Sequence, residues 1–197
     1  MKTLLGIVCV LGTCSAIEWT KDNLRAETEE VAVKVGRLVE ALSLTDINES
    51  RRKVAVKMGK EMPDLIWDDS LASIARKSPP NCNQWVHGSD YRFFPIGGDA
   101  NGQKLVKFVF SFLQANQPTD AKLILQSKID QMSLMHFELF NPSQTAIGCA
   151  ESPCTGVIPR EIRARKEFGF KGNKYSFRAV CILGKTNTWP SEVLRQL

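Results

Sequence analysis

The sequence is short of the side chains that an enzyme centre requires. It has two histidines, His87 and His136, so a site built on imidazole has little to draw on. A Gly-x-Ser-x-Gly turn, a His-Glu-x-x-His helix and a phosphate-binding glycine loop are all absent, which removes the common nucleophile, zinc and nucleotide motifs. Neither histidine stands near a recognisable Ser or Cys motif, so no nucleophile with its base and orienting group can be read. No Cys-x-x-Cys pair offers zinc spacing. Nor is there an internal repeat, a low-complexity tract, or an apolar run of the roughly 20 residues needed to span a membrane.

What is present begins with Lys2, an apolar run from Leu4 to Leu11, and Thr13-Cys14-Ser15-Ala16. That order predicts a secretory signal over residues 1–16, a mature start at Ile17 and an exported, extracellular product. Loss of the signal takes Cys9 and Cys14 and leaves Cys82, Cys149, Cys154 and Cys181. An even count in an oxidising compartment favours two disulfides, and four cysteines allow about three connectivities. Net charge falls from +5 to +4 with Lys2, a modest excess that suits solubility and gives no reason to expect a nucleic-acid partner.

Periodicity divides the chain into helices first and strands later. Val31, Val35, Leu38, Val39 and Leu42 mark one face of a helix over residues 26–42, part of an N-terminal extension over 17–43. Thr45 and Asp46 cap a second helix from Ile47 to Met58, ending near Gly59. Asp68 or Asp69 caps a third through Lys77, which Pro79-Pro80 stops. An aromatic and glycine-rich loop from Asn83 to Gly102 follows. A fourth helix from Gln103 to Gln114 carries Leu105, Val106, Phe108, Val109, Phe112 and Leu113. Its phenylalanines, with Trp67, are read as core; Met132 and Met135 are read as core filler or part of an apolar groove. Leu134–Phe140, Thr145–Ala150 and Tyr175–Leu183 read as strands. Pro153–Lys174 reads as a long surface excursion with a charged segment from Arg160 to Glu167. The order of helices first and strands later predicts an α+β domain.

Several rarer residues recur at fixed distances. Asn48 and Arg51 lie in the second helix, followed by Met62, Leu65, Trp67-Asp68, Leu71-Ala72, Ala75 and Cys82; Ile147-Gly148-Cys149-Ala150 with Cys154, and Ala179-Val180-Cys181, come later. This set resembles the CAP superfamily of cysteine-rich secretory, antigen 5 and pathogenesis-related proteins. Its pattern reads His-Asn-x-x-Arg, Met-x-x-Leu-x-Trp-Asp-x-x-Leu-Ala-x-x-Ala and then a cysteine; here Ile47 replaces the leading His. The likeness is nearest to the nematode venom-allergen-like branch. It covers residues 44–190, leaving a tail over 191–197, and implies an antiparallel sheet between helical layers, with Cys82 paired to Cys154 and Cys149 to Cys181. It also places Asn48-Glu49-Ser50, formally a glycan acceptor, on a helix where the asparagine is partly buried.

Many members of that family have a cleft with two His and two Glu able to bind a divalent cation. Carried over residue by residue, His87 lies close to the first His and Gly98-Asp99-Ala100-Asn101 offers a shorter acid for the family's Gly-Glu-Asn. No acid lies between Lys104 and Asn116 to supply the third ligand; Gln114 is the nearest polar candidate. Counting back from Gly148-Cys149, Met135 takes the place of the second His and Glu138 that of a Gln, with His136 one position off and turned to the opposite face of a strand. His136 and Glu138 would share a face and pair with each other. The cleft candidates are thus His87, Asp99, His136 and Glu138, with no complete metal set and no cofactor implied. The resemblance implies a non-enzymatic secreted protein that binds a sterol, a fatty acid or an extracellular protein. A metal-dependent hydrolase using His87, Asp99 and Glu138 or His136 is the alternative, and a secreted inhibitor or ion-channel ligand acting through a surface loop is the third.

Overall fold

The computed structural model describes residues 5–10, 13–18, 44–115, 133 and 135–190. The helix expected over 26–42, Met132 and the 191–197 tail lie outside these residues. Inside the segment read as a signal, β1 (Leu5–Val10) and β2 (Thr13–Glu18) pair antiparallel as a ribbon separate from the main sheet.

Helix α1 (Leu44–Met58) buries Ile47, Asn48, Arg51, Val54, Ala55 and Met58, the spacing of one helical face. Gly59 ends it at φ +58°, a conformation that favours glycine. β3 (Ile66–Trp67) leads into α2 (Asp69–Arg76), capped by Asp68, whose side chain accepts from the N–H groups of Ser70 and Leu71. A 3-10 turn (Cys82–Gln84), β4 (Tyr91–Ile96) and helix α3 (Ala100–Ala115) follow. A second 3-10 helix (Met135–Phe140), β5 (Ala146–Val157), the single turn α4 (Arg160–Arg163), a 3-10 turn (Lys166–Phe168) and β6 (Lys174–Gly184) complete the order.

The fold is α+β, with a four-stranded sheet in the order β3-β5-β6-β4. β4, β6 and β5 are antiparallel, but β3 runs parallel to β5, so the sheet is mixed and not purely antiparallel as expected. The long crossover through α2, β4 and α3 leaves the direction of β3 unconstrained by any hairpin. Two other expectations are corrected. Leu134–Phe140 is not a strand, since residues 135–140 are 3-10 helix, and a short run apolar in every phase cannot declare its period. The loop read from Asn83 to Gly102 contains β4, an edge strand that tolerates Pro95. β5 also continues past Ala150 through a bulge between Glu151 and Cys154, where Pro153 is accommodated.

Alternation along β6 gives the sheet a core on each face. Ala179, Cys181 and Leu183 join Ile47, Val54 and Met58 of α1, whereas Val180 and Ile182 join Leu71 and Ala75 of α2. The α2 backbone lies directly on β5 at Gly148, where a Cβ would fall 2.1 Å from the Ala72 nitrogen. Cys149 and Cys181 face each other across β5 and β6 and are bonded; Cys82 is bonded to Cys154. This is the pairing the resemblance implies.

Two polar side chains of α1 fasten the first core. Asn48 donates to the Leu65 carbonyl at 2.9 Å and accepts from the Leu65 N–H at 2.8 Å. Arg51 is fully buried and donates to the carbonyls of Pro63, Leu139, Asn141 and Gln144. Burial pushes its pKa down to about 10, opposed by the Asp64 charge, and it stays cationic at neutral pH. Trp67, read as core, is 49% exposed on edge strand β3 with its indole N–H on Asp69. In a parallel edge pair two residues long, one side has no helix over it. Trp67→Ala is therefore expected to cost less than about 1 kcal/mol, and Arg51→Met about 3–5 kcal/mol because several buried carbonyls lose their donor. Chemical denaturation of both variants checks this ranking; equal losses would contradict it.

Candidate functional site

Three of the four cleft candidates, Glu138, Asp99 and His87, have hydrogen-bond partners within the fold. Glu138 lies at zero exposure, and its two oxygens accept from Arg92 Nε at 2.6 Å and Nη2 at 2.8 Å. Trp189 Nε1 donates to the same carboxylate at 3.0 Å, and Arg92 Nη1 also donates to the Asn187 carbonyl at 3.0 Å. The strand face on which Glu138 was expected to lie is a 3-10 helix, and its carboxylate is held by an arginine from β4. His136 lies on that 3-10 helix, and its side chain is outside what the structure describes.

Asp99 stands directly before α3 and acts on its own helix. Its Oδ1 accepts from the Asn101 and Gly102 N–H groups at 3.0 and 2.7 Å, and its Oδ2 from the Ser176 hydroxyl at 2.9 Å. Partial burial pushes its pKa up, but the hydrogen bonds from Gly102, Ser176 and Asn101 outweigh this and hold it below the ordinary 3.8. The stability it lends is therefore present above 3.8 and is lost as pH falls through the lowered value. Asp99 also borders an open recess lined by Gly97, Thr155, Ser176 and Arg178.

His87 Nδ1 accepts from the Phe93 N–H at 3.1 Å, and its ring lies 4.7 Å from the Phe93 ring. Use of Nδ1 as an acceptor places the ring proton on Nε2. Among the described residues no three His, Cys, Asp or Glu side chains converge to hold a metal ion.

A different feature emerges between α3 and the β4–β6 face. Leu105, Phe108 and Val109 descend from α3 at helical spacing and meet Tyr175 and Phe177, two residues apart on β6. With Phe93 and Trp85 they line a cavity of about 260 Å³. The Cys82–Cys154 bond and a 2.6 Å hydrogen bond from Trp85 Nε1 to the Pro79 carbonyl fix one wall. The amide and hydroxyl of two lining residues are already engaged: Ser133 Oγ donates to the Phe93 carbonyl, and Asn83 holds both the N–H and the carbonyl of Val157. Burial raises the Tyr175 pKa, which keeps its phenol neutral. Such a lining selects by shape and apolar contact; it offers no nucleophile.

Arg92 was the residue missed by sequence reading. Its signal was a lone charge inside the apolar run Tyr91–Ile96, matched by a lone acid inside Met135–Phe140. Two solitary opposite charges in two apolar segments imply a buried pair. Compared with protein-family models, with curated proteins and with solved structures, the chain has no significant match.

Glu138→Gln leaves the buried Arg92 guanidinium without its carboxylate, and is expected to lower stability by about 3–5 kcal/mol. The double variant Arg92→Met, Glu138→Leu is expected to lie within about 2 kcal/mol of the parent. Urea denaturation of the set tests this; a double variant at least as unstable as the single one would contradict a purely structural pair.

Proposed function

We propose that the chain is a divergent exported CAP protein that acts by binding an acyl chain in the cavity between α3 and β6. The observation that carries this reading is the cavity itself, walled by Leu105, Phe108, Phe93, Tyr175 and Phe177, a predominantly apolar lining to which Tyr175 adds one hydroxyl. By contrast, Glu138, Asp99 and His87 Nδ1 already hold partners within the fold. Asn48 and Arg51 on α1, the order α1-β3-α2 and the two cysteine pairs support the family resemblance. The two disulfides fit an oxidising, extracellular setting, and no helix among the described residues is long and apolar enough to cross a membrane.

Size selects among apolar ligands. At about 260 Å³ the cavity falls just under the usual range of roughly 300–1,000 Å³ for small-molecule sites. A slender chain suits it better than a fused-ring sterol. Each methylene transferred from water gains about 0.8 kcal/mol, close to a fourfold step in affinity.

A series of saturated fatty acids titrated by competition with a fluorescent analogue tests this. Affinity is expected to rise about fourfold per methylene and then level off once the cavity is full. Leu105→Trp, which fills the space, is expected to weaken binding at least tenfold, while Asp99→Asn leaves it unchanged. Affinity independent of chain length, or lost in Asp99→Asn and kept in Leu105→Trp, would overturn the proposal.

A further inference from the structure

Basic side chains are concentrated in two segments, 51–60 and 159–174; in the first, Arg51 is buried and Arg52 and Lys53 pair with Asp64 and Glu49, and the second is the exposed one. Residues 159–174 hold six of the 26 basic side chains, Arg160, Arg163, Arg165, Lys166, Lys171 and Lys174, and two of the 21 acidic ones, Glu161 and Glu167. They therefore carry +4 of the net +5, and all the rest of the chain is close to neutral. All six basic residues are exposed. Among the described residues only Arg165 has an acid in reach, Glu167 at 3.6 Å.

The segment has a fixed shape and two unlike sides. Asn101, buried on α3, donates to the Lys171 and Lys174 carbonyls at 2.6 and 2.7 Å and accepts from the Lys171 N–H at 3.0 Å. Lys104 reaches the Gly169 carbonyl. Gly169 and Gly172, at φ +57° and +73°, turn the chain where a side chain would be strained. Ile162 and Phe170 pack against the second core, and Phe168 meets Phe108 edge-on at 5.5 Å. Apolar groups thus face α3 and the basic ones face out. Pro159 and Ile162 also line the acyl cavity, so the basic surface begins at the cavity wall.

A modest charge excess on a protein surface is usually only solvated, but here it is ordered, in excess of the acids within reach, and adjacent to an apolar cavity. We propose that residues 159–174 dock the protein on bilayers rich in anionic lipid, from which the cavity takes its acyl ligand. The docking stands on the charge and the clamp alone; the uptake step rests on the ligand reading above. The adjoining apolar wall favours a lipid surface over a sulfated polysaccharide. Each Lys or Arg near an anionic bilayer strengthens binding about fivefold, within a screening length of about 8 Å at physiological salt.

Co-sedimentation of the full chain with phosphatidylcholine vesicles, with and without phosphatidylserine, tests the docking. Binding is expected only with phosphatidylserine, and is expected to be lost in high salt. The variant Arg160→Gln, Arg163→Gln, Lys166→Gln, Lys171→Gln is expected to lose it by about a hundredfold or more, with its melting temperature and its uptake of soluble fatty acid unchanged. Leu105→Trp is expected to bind vesicles normally. Equal binding to both vesicle types, full binding by the four-site variant, or capture by a sulfated polysaccharide with none by vesicles would overturn docking. Vesicle binding by a wild-type chain that takes up no fatty acid would leave docking standing and overturn the ligand reading.

Discussion

The carboxylate of Glu138, gripped on both oxygens by Arg92 and touched by the indole N–H of Trp189, ties together three segments far apart in sequence. β4 is an edge strand, and an uncovered edge invites pairing with other chains. The 3-10 helix Met135–Phe140 lies against β4, and the ion pair fixes it there. Two charges withdrawn from water are stable only when their remaining hydrogen-bonding capacity is also met. Asn187 supplies a carbonyl for Arg92 and Trp189 a donor for Glu138, which brings the 187–189 segment into the same arrangement. The acid that aligns with a cleft position is thereby made part of the framework.

Arg51 does for α1 what Arg92 does for β4. It binds carbonyls on either side of the Asn141 turn and the Pro63 carbonyl before β3, so the helix is anchored to two loops by one side chain. On the opposite face the disulfide Cys82–Cys154, Trp85 and Leu105 of α3 border a space that the aromatic residues line without filling, and Phe108 and Val109, packed with the first core, reach it from α3. The difference between the two faces is chemical: one core is closed by charged side chains saturated with partners, the other by rings that leave a cavity. The second is the basis of the proposed binding by apolar contact.

Much of this was legible in the sequence. The end of α1 followed from Gly59 and the start of α2 from Asp68, whose capping chemistry is local, and β6 followed from its apolar and aromatic richness; α1 begins at Leu44, so Thr45 and Asp46 lie in its first turn and do not cap it. The disulfide pairing was carried by resemblance, since spacing left three connectivities open. What was not legible depended on tertiary partners. Trp67 has the composition of a core residue, yet β3 is two residues long and at the sheet edge. Asp99 had the right residue type for a ligand, but a carboxylate just before a helix is equally a cap, and the neighbouring Gly102 and Ser176 decide the matter. The cavity was invisible because its walls come from elements up to ninety residues apart, although Phe108, Tyr175 and Phe177 were each recognised as apolar positions.

Intermolecular nuclear Overhauser effects between an isotope-labelled fatty acid and the protein test the central claim most directly. The account predicts contacts from the acyl methylenes to the Leu105 methyls and to the Phe177 and Tyr175 rings, and none to the neighbourhood of Asp99. Contacts confined to Asp99 and the recess beside Ser176, or a saturated ligand signal with no contact to Leu105 or Phe177, would contradict it.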